Sequence, residues 1–204
     1  AFIEPEILAI DSARIDEFIA AEKGLAVHRF YLRDLQRKKE HRLSEKEEKI
    51  LARAGLITGA PQNIYGILAN ADLPYPEVTL SDGTRVTLNT SGYSMARTST
   101  NRDDRRLVFD EFYKTLQQYR NTFGATLSAQ VRKDLFSAQS RGYKDCLEAA
   151  LDRNNIPVAV YHSLIENVNA NLDSFHRYLK IKKRMLGVDT LEYIDLYAPT
   201  VEDV

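Results

Sequence analysis

Four histidines are the side chains of this 204-residue sequence best suited to bind a metal or to transfer a proton: His28, His41, His162 and His176. A zinc site of the H-E-x-x-H type needs two histidines four residues apart on one helix face, and a glutamate after the first to activate water. Here the nearest pair, His28 and His41, is 13 residues apart, and every histidine is followed by arginine or serine. The sequence therefore predicts no such zinc site among its own residues, neither at His162 nor at His176.

A dense basic cluster surrounds the last histidine. Its members are Arg177, Lys180, Lys182, Lys183 and Arg184. Cations in the last turns of a helix offset its partial negative end, by a few tenths to ~1 kcal/mol each. We therefore predict a solvated helix end here, and also for the second basic stretch, LQRKKEHRL at 35–43. For His176, which directly follows Phe175, we predict a buried or half-buried structural role.

The other groups able to do chemistry lack the neighbours that chemistry requires. Cys146 lies in YKDCLEAAL, where alanine and leucine at helical spacing predict a small buried side chain and no base is near. There is no G-x-S-x-G nucleophile elbow, and SDGTR lacks the spacing of a phosphate-binding loop. The pairs Asp103-Asp104 and Glu47-Glu48 fit helix-start charges. We predict no catalytic, cofactor-binding or metal-binding residue in this chain.

The composition is that of a soluble globular protein, with 44% hydrophobic and 28% charged residues. A net charge of −1 and a pI near 6.5 give no general case for nucleic acid or an anionic membrane as a partner. No run approaches the roughly 18 apolar residues of a membrane span. The single cysteine is compatible with a reducing compartment, and we expect a cytoplasmic protein.

Local patterns predict a mainly helical fold with one small β-hairpin around residues 77–89. Ser44 and Glu47 form a capping-box pattern, and Gly55 is placed to end that helix. The hairpin is indicated by Asp82-Gly83 between alternating apolar and polar residues, because this turn requires positive φ. The segment DTLEYIDLYAP at 189–199 is expected to form a tyrosine-rich strand.

Two long helices are predicted after residue 100, packed antiparallel in a helical bundle. The first begins at Asn101 and continues past Val131. The second follows Pro157 and ends at Gly187, and its apolar residues alternate in steps of three and four as an uninterrupted seam. The seam residues are Val158, Tyr161, Ile165, Val168, Leu172, Phe175 and Leu179. We predict two domains: residues 1–98, a helical lobe with the hairpin, and residues 99–204, the long helices.

Five stretches together resemble the N-terminal half of oligoendopeptidase F, in the thimet-oligopeptidase superfamily of zinc peptidases, and they occur in the family's order. They are YLRDLQRKKEHRLSEKEEKILA, VTLSDGTRVTL, NRDDRRLVFDEFYKTLQQYRNTFGATL, SRGYKDCLEAALDRNNIPVAVYHSLI and HRYLKIKKRMLGVDTLEYIDLYAP. The resemblance implies a metalloendopeptidase parent that hydrolyses internal bonds of short peptides with a zinc ion. It also implies that the H-E-x-x-H motif lies downstream of DLYAP, so we expect this chain to lack it.

On this resemblance, the chain is a non-catalytic N-terminal portion, inactive alone and lacking its C-terminal catalytic domain, that forms one wall of a channel for short peptides. Residues 99–204 would lead into that domain. The alternative is a free-standing helical interaction module that binds a partner helix through the seam at 158–179. A third hypothesis, a nucleic-acid binder, would use the two basic stretches and would show binding that weakens steeply with salt.

Overall fold

The computed structural model describes residues 3–201, and it is mainly helical with one small two-stranded antiparallel sheet, as predicted. The helices are α1 (Ile3–Ala9), α2 (Ser12–Ala21), α3 (Arg29–Arg37), α4 (Glu45–Thr58), α5 (Ala60–Ile67), α6 (Thr90–Ala96), α7 (Arg102–Gln118), α8 (Arg120–Ser140), α9 (Cys146–Asp152), α10 (Val158–Ala170) and α11 (Leu172–Met185). The strands are β1 (Glu77–Thr79) and β2 (Arg85–Thr87). Short turns of 3₁₀ helix occupy Lys23–His28, Lys38–His41 and Tyr193–Asp195, and a π-helical turn occupies Leu68–Asp72.

The chain folds as two compact units, each assembled from separated segments. Among the described residues, the first unit comprises 3–59 and 131–160, and the second comprises 60–130 and 161–201. In the first unit, Ile15 and Ile19 of α2 pack with Leu32 of α3 in a small core. Across residues 3–201, none of the helices combines the length and the apolar character needed to cross a bilayer.

Helix α4 begins with the predicted capping box but ends later than predicted. The Ser44 backbone N–H donates to Glu47 Oε2 at 2.9 Å, while the Glu47 N–H donates to Ser44 Oγ at 3.5 Å. The helix continues through Gly55 to Thr58, and Gly59 is its C-cap residue. The prediction that α4 ends at Gly55 was therefore wrong. A glycine within a helix destabilises it by only ~1 kcal/mol relative to alanine, which does not prevent the helix from continuing to Thr58.

The predicted hairpin is confirmed, and Gly83 makes its turn possible. Val78 of β1 faces Val86 of β2 in the antiparallel register. Gly83 has φ = 87°, a conformation that residues with a Cβ rarely adopt. The Thr84 backbone N–H donates to Asp82 Oδ1 at 2.8 Å, which closes the turn from its other side.

The core of the second unit forms where the hairpin packs on α6 and α7. Its buried residues are Val78, Val86, Leu88, Tyr93, Ala96, Val108 and Phe112. The Tyr93 and Phe112 rings stack at 4.1 Å between centroids. Asp104 in the first turn of α7 accepts hydrogen bonds from the backbone N–H and the hydroxyl of Ser81, both at 2.8 Å. Asp104 was predicted only as a helix-start charge; in the structure it is a buried acceptor that fixes the hairpin to α7.

Gly92 is the position at which this packing tolerates no added atom. A Cβ there would overlap the backbone carbonyl of Thr87, whereas a Cβ at Gly124 in α8 would meet nothing within 4 Å. We expect Gly92→Ala to lower the free energy of unfolding by about 1–3 kcal/mol, because backbone must move to relieve the overlap. Gly124→Ala is the matched control and should be neutral or stabilising by up to ~1 kcal/mol. Urea unfolding of both variants measures this, and equal effects would contradict the overlap.

The two long predicted helices are each interrupted, so the prediction of an uninterrupted seam was wrong. The first breaks at Tyr119, between α7 and α8. The second breaks at Asn171, between α10 and α11. The Asn171 side-chain amide donates to the Asn167 carbonyl at 2.8 Å, and its backbone N–H donates to the Val168 carbonyl instead. The side chain thus takes the acceptor that the continuing helix would have used.

The segment after α11 also differs from the prediction. Gly187 ends the helix with φ = 63°, as predicted. The expected strand at 189–199 is wrong: this segment forms a 3₁₀ turn at Tyr193–Asp195, in which Asp195 is fully buried. An isolated strand there would have left its polar backbone groups unpaired, whereas the turn lets the Asp195 backbone N–H donate to the Glu192 carbonyl at 3.0 Å.

Candidate functional site

The histidines lie at separate places, and their surroundings do not form a metal site. His176 is exposed, so the prediction of a buried or half-buried role was wrong. It directly follows Phe175, and all seam residues except the half-buried Val158 and Leu179 are exposed. His162 is also exposed, with the Tyr161 ring edge-on at 6.0 Å between centroids. Within residues 3–201, no group of three or more histidine, cysteine or acidic side chains is arranged to hold a metal ion. The donor set therefore does not fit the zinc ion implied by the resemblance.

His41 is the histidine with the most specific contacts, and it lies in the first unit. Its ring stacks on Tyr143 at 3.7 Å between centroids, and its Nδ1 donates to the Arg141 carbonyl at 3.0 Å. Burial, followed by the hydrogen bond that the Tyr143 hydroxyl donates to Asp152 at 2.7 Å, raises the pKa of Tyr143 to about 12. Through these contacts the two rings connect the 3₁₀ turn that follows α3 to the segment before α9 and to Asp152 in α9.

A cavity of about 520 Å³ beside these rings is lined by the ion pair of Arg141 with Glu48 and by Asp152, which belongs to a second ion pair. Arg141 Nη1 and Nη2 bond to the two carboxylate oxygens of Glu48 at 3.0 and 3.1 Å, and this pairing lowers the pKa of Glu48. Arg37 pairs with the Asp152 carboxylate and also donates from Nη2 to the Asp152 carbonyl at 2.7 Å. Arg37 belongs to the stretch predicted as a solvated helix end; it is instead half-buried and pairs across 115 positions of sequence.

The most buried ionic cluster of the second unit is centred on Asp195. Its carboxylate accepts from Arg102 Nε at 3.0 Å and Nη2 at 2.8 Å, and from Arg105 Nη2 at 2.9 Å. The Glu192 backbone N–H donates to Asp195 Oδ2 at 2.9 Å. Arg105 is itself only 3% exposed and also donates to the Ile194 carbonyl at 3.1 Å. This cluster fixes the segment after α11 to the first turn of α7.

The hydrogen bonds of this cluster outweigh the effect of burial on the Asp195 carboxyl. Burial by itself would raise the pKa of Asp195, because it disfavours the charged form. Bonds from Arg102, from the Glu192 backbone N–H and from Arg105 act in the opposite direction, and the pKa falls from 3.8 to about 2. Asp195 is therefore ionised throughout the physiological range.

We expect acid to destabilise the second unit through Asp195. Because its folded pKa is lowered, the stabilisation is complete above pH ~5 and is lost as the pH falls through 4 toward about 2. The shift corresponds to about 2 kcal/mol at ~1.4 kcal/mol per pKa unit. Urea unfolding between pH 5 and pH 2 should show this loss in the wild-type chain and a smaller loss in Asp195→Asn. Asp110→Asn, at an exposed position of α7, is the control; an unaltered pH dependence in Asp195→Asn would contradict the assignment.

Lys182 is buried, so the prediction of a solvated helix end was wrong for this member of the basic cluster. It is 6% exposed, and its Nζ donates to the Ala198 carbonyl at 2.9 Å. Its four neighbours in the cluster are exposed, as predicted. The Arg97 guanidinium carbon lies 3.5 Å from the centroid of the Tyr197 ring in a cation–π contact. The second unit therefore uses two cations to fix the segment around Ala198.

The seam helices expose many large apolar side chains. Along α10 and α11, every side chain from Tyr161 to Tyr178 is exposed. The large apolar members within 161–185 are Tyr161, Leu164, Ile165, Val168, Leu172, Phe175, Tyr178, Ile181 and Met185, at 38–62% exposure. We call these nine residues the α10–α11 face. The heptad spacing found in the sequence is real, but the face has no partner among the described residues of its own unit.

The ion pairs described above were missed in the sequence because their partners are far apart in it. Arg102, Arg105 and Arg106 at helical spacing were a usable signal, because three cations on one side of α7 favour acidic partners. Their partners are Glu192, which is half-buried, and Asp195, which is buried, and nothing local in the sequence marked either as a partner. Cys146 was predicted to be buried and is half-buried.

Comparison with known proteins gives matches along almost the entire chain. Residues 6–75 match the family model described as Oligopeptidase F, and residues 95–203 match the one described as Peptidase family M3. Oligopeptidase PepF of Bacillus subtilis is 37% identical over 203 residues, covering 100% of this chain and 30% of the relative. Group B oligopeptidase PepB of Streptococcus agalactiae is 33% identical over 199 residues, covering 98% of this chain and 33% of the relative.

A solved structure agrees with the sequence relatives. The crystal structure of oligoendopeptidase-F from Enterococcus faecium superposes with a TM-score of 0.88 at 36% identity, covering 98% of this chain and 39% of that one. The chain spans about a third of the length of the curated relatives it matches, and the matched part is N-terminal. With both family models matched in order over residues 6–203, the chain belongs to peptidase family M3, as its oligopeptidase F N-terminal portion.

Proposed function

We propose that this chain is the non-catalytic N-terminal portion of a cytoplasmic, zinc-dependent oligoendopeptidase that hydrolyses internal bonds of short peptides. The observation that carries the proposal is the ordered match to Oligopeptidase F and Peptidase family M3 over a third of the relatives' length. The single cysteine supports a reducing compartment.

The donor geometry supports assigning the zinc site to residues outside these 204. His162 and His176 are both exposed and 14 positions apart in the sequence, and no third ligand adjoins either one in residues 3–201. The buried carboxylates Asp104 and Asp195 are saturated by hydrogen bonds from this chain's own groups. A carboxylate committed in this way is not available to activate water.

The role we propose for the chain is to shape the wall of a channel that admits short, unfolded peptides, with residues 99–204 leading into the peptidase domain. The ionic cluster at Asp195 supports this role because it holds the segment at 192–198 rigidly against α7. A wall that keeps its shape can select peptides by size without contributing a reacting group.

A transplant experiment tests the proposal. The 204-residue chain replaces the matched N-terminal part of Bacillus subtilis oligopeptidase PepF, and both the chimera and the isolated chain are assayed on a quenched fluorescent peptide. We expect cleavage by the chimera that a chelator abolishes and zinc restores, and no cleavage by the isolated chain with zinc. Zinc-dependent cleavage by the isolated chain, or a folded chimera without activity, would overturn the proposal.

The exposed seam favours a second candidate function, a free-standing helical interaction module. In that case the isolated chain should form a stable dimer or hetero-complex through the α10–α11 face. Light scattering after size exclusion distinguishes the two candidates, because a monomeric isolated chain contradicts a module that pairs with itself.

A further inference from the structure

Arg97 is an arginine of the second unit for which the structure shows no counter-ion. It is the half-buried C-cap residue of α6, and its guanidinium forms no hydrogen bond or ion pair with another residue of 3–201. The Nε atom is fully buried and has no acceptor in that range. Arg102, Arg105 and Arg106 of α7, in contrast, each pair with a carboxylate. Buried donors without a partner are uncommon in native proteins, so this one indicates a functional role.

Two aromatic rings hold the Arg97 guanidinium in place. Its central carbon lies 3.5 Å from the centroid of the Tyr197 ring and 5.5 Å from that of the Tyr93 ring. The Tyr93 ring is itself 6% exposed and stacks on Phe112. Tyr197 lies just after Asp195, whose buried carboxylate is bonded to α7. Because a guanidinium stacked on a ring keeps its planar set of N–H donors in one orientation, Arg97 is prearranged to bind an acceptor.

Tyrosine hydroxyls surround this cation. Tyr193 and Tyr197 are 50% and 46% exposed, and their hydroxyls donate no hydrogen bond to a residue that the structure describes. Burial, followed by the nearby hydroxyl of Tyr113 and then that of Tyr193, raises the pKa of Tyr93 to about 12. Arg97 therefore lies in a cluster of tyrosines. Arginine and tyrosine are among the residue types most enriched where proteins bind their partners.

The donors of this cluster fit a carboxylate. A guanidinium presents parallel N–H groups that match the two oxygens of a carboxylate, and such charge-assisted pairs are the stronger hydrogen bonds of proteins. The Tyr193 and Tyr197 hydroxyls can donate to the same oxygens, while their rings offer apolar surface to the rest of the ligand. A neutral ligand would leave the charge of Arg97 uncompensated, and a cation would be repelled by it.

We propose that Arg97, with Tyr193 and Tyr197, forms a binding site for a carboxylate of a short peptide. We call these three residues the Arg97 site. The proposal rests on the proposed function, which supplies peptides as the ligand class. A peptide carries carboxylates at its C-terminus and on aspartate and glutamate side chains. Both present the same pair of oxygens to the guanidinium, so the experiment has one arm for each source.

Cleavage kinetics of the PepF chimera on two pairs of quenched fluorescent peptides test the site. One pair differs only in a C-terminal acid or amide, and the other only in an internal glutamate or glutamine. For one pair we expect KM to be ~10-fold higher for the neutral member, with kcat within ~2-fold, because a bond remote from the reacting atoms affects binding alone. In Arg97→Gln the two KM values of that pair should agree within ~2-fold. The pair that shows the ratio identifies the source of the carboxylate.

Arg120→Gln is the matched control. Arg120 is an exposed arginine at the start of α8 in the same unit and makes no described hydrogen bond or ion pair. This variant should keep the KM ratio of the wild-type chimera. If it loses the ratio as Arg97→Gln does, the effect is one of overall charge and the Arg97 site is refuted. An active chimera with equal KM values within both pairs would also refute the site, and it would leave the proposed function standing.

A binding measurement on the 204-residue chain does not depend on cleavage. The Arg97 Nε–H group is buried, so its proton is shielded from water and should give a signal in ¹⁵N NMR spectra, assigned by its loss in Arg97→Lys. The acid member of one peptide pair should shift this signal, and its neutral member should not. A shifted signal with an inactive, folded chimera would overturn the proposed function and keep the carboxylate site. A signal that neither acid peptide moves would overturn the site, whatever the chimera does.

Discussion

Replacing Asp195 with alanine should cost about 3–5 kcal/mol of unfolding free energy. Arg105 is 3% exposed, and without Asp195 its guanidinium is a buried cation that has lost its charged partner. Removing one member of a buried ion pair costs this much because the other charge remains desolvated. Arg102 loses two hydrogen bonds to the same carboxylate as well. Urea unfolding at pH 7, where Asp195 is ionised, measures the loss.

The control for Asp195→Ala separates an ionic effect from a loss of packing. Asp110→Ala removes a carboxylate at an exposed position of α7, the helix that carries Arg102 and Arg105, and should change stability by less than ~0.5 kcal/mol. Adding Arg105→Met to Asp195→Ala removes the unpaired cation and should recover part of the loss. If the double variant is destabilised by the sum of the single effects, the two residues are not coupled as the structure indicates.

The second large expected effect is at Leu88. Leu88 is 0% exposed in the core formed by the hairpin, α6 and α7, so truncation to alanine leaves a cavity between Val108 and the strands. Leu→Ala substitutions at such sites cost about 2–5 kcal/mol. We expect a loss in this range for Leu88→Ala, measured by urea unfolding with the slope of the transition unchanged.

Leu127 provides the matched control for Leu88→Ala. It is the same residue type, lies in α8 of the same unit, and is 67% exposed. Leu127→Ala should change the unfolding free energy by less than ~0.5 kcal/mol, because little apolar surface returns to water. Equal losses at the two leucines would mean that the hairpin does not form the core of this unit.

Local signals predicted the local parts of this fold. The Ser44–Glu47 capping box, the Asp82-Gly83 turn and the Gly187 helix end each depend on residues within four positions of one another, and all three are present in the structure. Local signals also set the family resemblance, which the comparisons confirm. The interruption at Asn171 was missed because its competing hydrogen bond comes from a side chain that is ordinary in a polar helix face.

The buried charges could not be predicted in the same way. Asp195 was predicted to lie in a tyrosine-rich strand at 189–199, and its partners Arg102 and Arg105 are 93 and 90 residues away. His176 and the seam were expected to be buried because apolar spacing shows which residues share a face, not whether that face is covered within the chain. Periodicity thus identified residues at regular helical spacing without showing that they are exposed.

Because the first unit is built from two segments that are far apart in the sequence, it cannot be completed until the second segment has been synthesised. Arg37 reaches Asp152 and Arg141 reaches Glu48 only after the whole intervening segment at 60–130 has been translated. At roughly 5–20 residues per second, a gap of 115 positions corresponds to roughly 6–23 s. The residues at 60–130 form a contiguous stretch that emerges in the meantime, so the nascent chain should gain its hairpin core before its oldest helices find their ionic partners.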